Sequence, residues 1–175
     1  MSAPEVSFGP VQMLVLGFDR TEFDGQVMPE LARLKEAGIV RLIDLLFVKK
    51  DENGELDVIR QSDLTTDEAS EFGALVGALV GLGTGDEEVA LAAATAGAEE
   101  GEDGHFIGDD EVWYLGDAIP EGTSAAVALI EHLWAIPLRD KIVEAGGVAL
   151  ADEWIHPADL VAVGAVARIA AESTA

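Results

Sequence analysis

Hydrophobic positions fall into two rhythms along this chain. Val11-Gln-Met-Leu-Val-Leu-Gly-Phe18 is a short apolar run of strand length, which fits a buried strand. Val27, Met28, Leu31 and Leu34 then recur at helical spacing. Thr21-x-x-Asp24 is placed to cap that helix, and Gly38 to stop it. Pro29 fits only in the first turn. Ile39 to Val48 reads as a second strand, and Asn53-Gly54 marks a tight hairpin that returns through 55–60.

Toward the C-terminus, Ser124 to Glu131 reads as a strand, although its alanines also suit a helix. A helix is predicted from about Trp134 to Gly146-Gly147, with Pro137 in its first turn. Val148 to Ile155 follows as the last strand. Pro157 opens a C-terminal helix through Ala171, with Leu160, Val163 and Ala167 on one face.

Residues 63–121 differ in composition and read as an insertion between the core halves 9–62 and 122–175. Setting it aside leaves strand–helix–strand twice. That is the ferredoxin-like split βαβ plan, an α+β fold in one domain with a β-hairpin extension. Its helices cover one sheet face, leaving the other to the insertion, the last helix or a second subunit.

Within the insertion, Thr65-Thr-Asp-Glu68 is a capping box. It introduces the run from Phe72 to Gly83, in which Gly73, Gly77 and Gly81 repeat every four residues, flanked by Leu75, Val76, Leu79 and Val80. Each interior glycine costs about 0.8–1 kcal/mol of helix propensity, so a closely packed helix should offset them. Gly83 and Gly85 form a turn, Asp86-Glu-Glu88 caps a second helix from Val89 to Ala98, and the pair reads as a helical hairpin. Both segments fall short of the roughly 20 apolar residues that span a bilayer. The seven residues from Gly73 to Gly81 named above are therefore the expected contact between copies of this chain.

Charge sharpens this picture. The 34 acidic and 10 basic residues give a formal net charge of −24, and no Lys or Arg lies between Arg60 and Arg139. Such a surface repels nucleic acid and anionic lipid, leaving cations or a basic protein surface as complements. A hydrophobic content of 49% excludes a disordered chain. The lack of cysteine excludes disulfides, thiol catalysis and thiolate metal sites. The start of the chain has neither a basic nor an apolar stretch, so no secretory signal and a cytoplasmic location are expected.

Candidate chemistry is sparse. Asp103, His105, Asp109 and Asp110 sit in the densest acidic stretch and offer oxygen and imidazole ligands for a divalent cation. Their spacing matches no metal motif, and a solvated loop is the simpler reading. Asp44 lies inside an apolar strand, where an unpaired charge is costly, and is expected to pair with Arg41 or Arg139 or to sit at an edge. His132 and Trp134, with Asp44, are the candidates for a small-ligand pocket. Trp113, Tyr114, Trp134 and Trp154 are expected as core or interface anchors. No catalytic constellation and no cofactor motif is present.

Gly9-Pro10-Val11, the segment from Ile39 to Lys50, Asp63-Leu64, the Gly-x-x-x-Gly stretch, Gly122 to Ala126, His132-Leu-Trp134 and Gly146-Gly147 together resemble a family of small actinobacterial proteins of unknown function, often described as membrane-associated. The resemblance implies a ferredoxin-like core with a glycine-rich insertion and carries no catalytic residues. The acidic stretch from Glu99 to Glu111 departs from it. The expectation is a non-enzymatic, self-assembling homo-oligomer joined through its glycine-spaced helices. The alternatives are a dimeric small-ligand binder or enzyme, and a membrane-peripheral stress protein.

Overall fold

The computed structural model describes residues 8–22, 25–101, 104–151, 153–154, 157 and 160–162. It is an α+β protein with one four-stranded antiparallel sheet. The elements follow the order β1 (Val11–Phe18), α1 (Val27–Glu36), β2 (Val40–Lys50), β3 (Leu56–Gln61), α2 (Thr66–Leu82), α3 (Glu87–Gly101), α4 (Asp109–Ala118), β4 (Thr123–His132) and α5 (Ala135–Glu144). The chain divides into two compact units, 1–139 and 140–175.

Local signals explain most boundaries. Helix α1 starts at Val27 with Gln26 as N-cap and no side-chain cap, so Thr21 does not cap it and Asp24 lies outside the described residues. Pro29 is the third helical residue, where its missing N–H costs nothing. Gly38 stops the helix with φ +65°. At the β2–β3 turn, Asp51 Oδ1 accepts from Asn53 N and Glu55 N, each at 2.8 Å.

The strand order is β1-β4-β2-β3. Strands β1 and β2 each run antiparallel to β4 between them, so they are parallel to each other and joined through α1. The strand expected over Val148 to Ile155 does not form at 148–151 or 153–154. Val148 and Leu150 are 78% and 94% exposed, and an apolar run without a pairing neighbour or a packed face has nothing to hold it extended. In the second unit, Gly147 N bonds Ile142 O at 2.8 Å to close the end of α5. Most of the helix expected from Pro157 to Ala171 lies outside the described residues.

Strand β2 is the centre of the core. Val127, Leu46 and Val48 pack with Ile107, against which Val112, Leu115 and Ile119 of the α4 region close. Beside them, Ile43, Phe8 and Phe72 form a second cluster with Leu64, Leu75 and Phe106. Phe72 meets Phe8 and Phe106 edge to face at 4.9 and 5.0 Å. The insertion thus covers one face of the sheet. The aromatic core is phenylalanine, whereas Trp113, Tyr114, Trp134 and Trp154 are exposed and do not anchor it.

Helices α2 and α3 form the hairpin. Going up α2, Ala69, Gly73, Gly77 and Gly81 face Gly101, Gly97, Ala93 and Ala90 going down α3, so that about one helical turn separates successive contacts on each helix. A Cβ on Gly77 would lie 2.7 Å from the Ala93 carbonyl carbon, inside van der Waals contact. The two backbones are in direct contact, which is the packing that offsets three helical glycines.

Gly77→Ala should therefore destabilise the protein by about 1–3 kcal/mol through overpacking, despite a propensity gain near 1 kcal/mol. Gly17→Ala, with open space around it, should stay within about 0.5 kcal/mol. Urea unfolding followed by circular dichroism measures both, and a neutral Gly77→Ala would contradict the close approach.

Candidate functional site

The sheet holds two buried charges, and both serve to fasten the insertion. Asp44 follows a bulge in β2, where the register shifts between Leu42 and Asp44. The extra residue, Ile43, goes to the phenylalanine cluster. Asp44 is 1% exposed and accepts from Phe106 N at 2.7 Å and Ile107 N at 2.9 Å. His105 Nδ1 lies 2.9 Å from its other oxygen. Neither Arg41 nor Arg139 is its partner. Asp44 anchors the loop that leads into α4, and three donors offset its desolvation.

Glu131, fully buried, is the second. It accepts from Gly9 N at 2.7 Å and from Arg41 Nε at 2.8 Å. Arg41 Nη1 reaches Glu68 at 3.0 Å, and the guanidinium lies 5.2 Å from the Phe8 ring centroid. One arginine thereby joins β2, β4, the N-terminal segment and the start of α2. Gly9 is required there, because a Cβ would lie 2.6 Å from His132 O.

Glu68 closes the capping box, its carboxylate accepting from Thr65 N at 2.8 Å. That backbone bond, the Thr65 hydroxyl and Arg41 hold its pKa below the ordinary glutamate value, with burial opposing them.

The ligand candidates do not converge. Asp44 pairs opposite Leu129 and His132 opposite Val40, and the odd step along β4 places them on opposite sheet faces. His132 sits with Gln12 and Trp134: Nε2 is 3.1 Å from Gln12 Oε1, and Trp134 Nε1 donates to Nδ1 at 3.4 Å.

Nor do the metal candidates meet. His105 is bound to Asp44, Asp109 pairs with Arg60 at 2.7 Å, Asp110 is exposed in the first turn of α4, and Asp103 lies outside the described residues. Among the described residues, no group of three His, Cys, Asp or Glu is arranged to hold a metal ion. The acidic stretch was expected as a solvated loop, but its end begins α4, with acids at the positive helix pole. Val112, Leu115 and Ile119 at helical spacing were the overlooked signal.

Of the residues expected at the contact between copies, Gly73, Gly77 and Gly81 are covered by α3 of the same chain. Their bare backbone is not available to a second copy while the hairpin is closed. Leu75 packs on the phenylalanine cluster. Val76, Leu79 and Val80 point outward and are exposed, as are Val89 and Leu91 on α3.

A family model matches residues 7–172. The chain belongs to DUF6325, a family of unknown function. Comparison with curated proteins and with solved structures gives no match. For this DUF6325 member no described helix is long and apolar enough to cross a membrane, and the distinctive chemistry lies in its buried carboxylates and its exposed apolar surface.

Asp44→Ala should cost about 3–5 kcal/mol, because it strands buried donors, while His105→Ala should cost less; urea midpoints compare them. Glu68 is held ionised in the fold, so its contribution is present above the ordinary glutamate pKa and is lost as pH falls through the lowered folded value. Glu68→Gln should therefore lower stability by about 0.5–2 kcal/mol at neutral pH and flatten the acid limb below the ordinary glutamate pKa. Identical pH slopes for variant and parent would overturn that assignment.

Proposed function

We propose that this protein is a non-enzymatic interaction protein that self-associates, built on a ferredoxin-like plan whose last strand does not form among the described residues. The order β1-β4-β2-β3, with β4 between two parallel strands joined by a helix, supports that plan.

The observation that carries self-association is apolar surface left open on the strand and helix that begin the fold. Met13 on edge strand β1 is 65% exposed and Val27 on α1 is 66% exposed. No residue of α1 is buried, and an open hollow of about 390 Å³ lies along Val27, Leu31 and Leu34. Apolar surface of this kind marks interaction sites.

Charge favours the core over the hairpin as the contact between copies. Residues 8–62 hold ten acids and seven bases, whereas 63–121 hold sixteen acids and no base. Two cores meet with little net repulsion, and two hairpins meet with a great deal.

Light scattering at tens of micromolar should give a particle larger than one chain of 18.3 kDa. Met13→Glu combined with Val27→Glu should return it to one chain with unchanged circular dichroism. A parent protein that is monomeric throughout would overturn the proposal.

A further inference from the structure

The outer surface of the α2–α3 hairpin is apolar in the middle and acidic at both ends. From Phe72 to Gly85 and from Val89 to Ala98 there is no charged residue. Since glycine and alanine fill the contact between the helices, the larger side chains stand outside it. On one side of the pair Val80 and Val89 are 69% and 42% exposed, and Val76 lies one turn from Val80. At the tip are exposed Asp86, Glu87 and Glu88; at the base are exposed Glu71, Glu99 and Glu100.

A second feature adds to the same field. The last turns of α2, at the tip, and α3, at the base, contain no basic residue. The negative pole of each helix dipole is therefore uncompensated. Glu71 to Leu82 spans about 17 Å at about 1.5 Å per residue.

We infer that this surface receives a cationic amphipathic helix of another protein. Its apolar stripe would lie on Val76, Val80 and Val89, each of which precedes a residue of the seam and so stands on the same side of the antiparallel pair, and Lys or Arg at its two ends would meet the acids of the tip and base. The charge argument selects this partner. A second copy would bring acids against acids, and an anionic bilayer would be repelled. The inference goes beyond self-association through the core and is tested separately from it.

The test titrates the full-length protein with labelled peptides of about sixteen residues. One carries Leu at helical spacing with Lys at both ends, a second the same composition scrambled, and a third Glu in place of Lys. The patterned cationic peptide should bind at least about tenfold more tightly than the others. Val80→Glu and Val89→Glu should each weaken it by at least about tenfold. Both changes add negative charge, so a merely electrostatic contact would tighten instead.

Equal binding of patterned and scrambled peptides would overturn the inference, as would Glu variants that bind as well or better. Val80→Glu lowering the native mass would assign the face to a second copy, and pelleting of the protein with phosphatidylcholine vesicles, abolished by Val80→Glu, would assign it to a lipid surface. Met13→Glu with Val27→Glu should leave peptide affinity unchanged whatever it does to the native mass, so the two readings fail independently.

Discussion

The insertion carries no cation of its own, so every positive side chain that fixes it comes from elsewhere in the chain. Lys50 of β2 donates to the carbonyls of Gly116 and Ile119 at 3.0 and 3.4 Å, closing the C-terminal end of α4, whose last turn has no basic residue. Arg60 of β3 holds the other end through Ile107 O and Asp109. Arg41 reaches Glu68 at the start of α2, and Lys35 of α1 pairs with Asp63 just before it. Of these, the Arg41–Glu68 and Lys35–Asp63 pairs are partly buried and are screened less than surface pairs. They bring a strongly acidic segment onto the sheet, and Asp44 completes the attachment by accepting the backbone of residues 106 and 107.

Once the insertion is attached at its base, the hairpin is shaped by backbone contact. Side chains longer than a methyl are excluded from the seam by the facing carbonyls, so valine and leucine must go to the sheet side or outward. Phe72 and Leu75 go to the core; Val76, Leu79, Val80 and Leu91 do not. The glycine spacing therefore creates an exposed apolar surface indirectly. It consumes the bare backbone within the chain and displaces the apolar groups to the exterior, where they are exposed. Membership of DUF6325 extends over both the core and this hairpin.

Local chemistry was largely legible from residue order. The Thr65–Glu68 capping box, the Asn53-Gly54 turn, the stop at Gly38 and the strands over 11–18, 40–50 and 123–132 all follow from short-range sterics and hydrogen bonding. These signals act within a few residues, so they survive any tertiary arrangement. The α4 helix was equally readable, since acids at Asp109 and Asp110 precede apolar residues at helical spacing, but the density of charge obscured the period.

Long-range pairing was settled by packing. That Gly73, Gly77 and Gly81 require a close neighbour follows from propensity, but that the neighbour is α3 depends on the fold-back at Gly83–Gly85. That Asp44 needs partners follows from its apolar surroundings, yet those partners come from residues 105–107, which only the bulge at Ile43 aligns with it. The run from Val148 has the composition of a strand but forms none at 148–151 or 153–154, because β propensity expresses the fit to a neighbouring strand more than any preference of the backbone. Residue order thus specifies which groups must be satisfied, and the folded chain selects, among many chemically adequate partners, the one that geometry brings within reach.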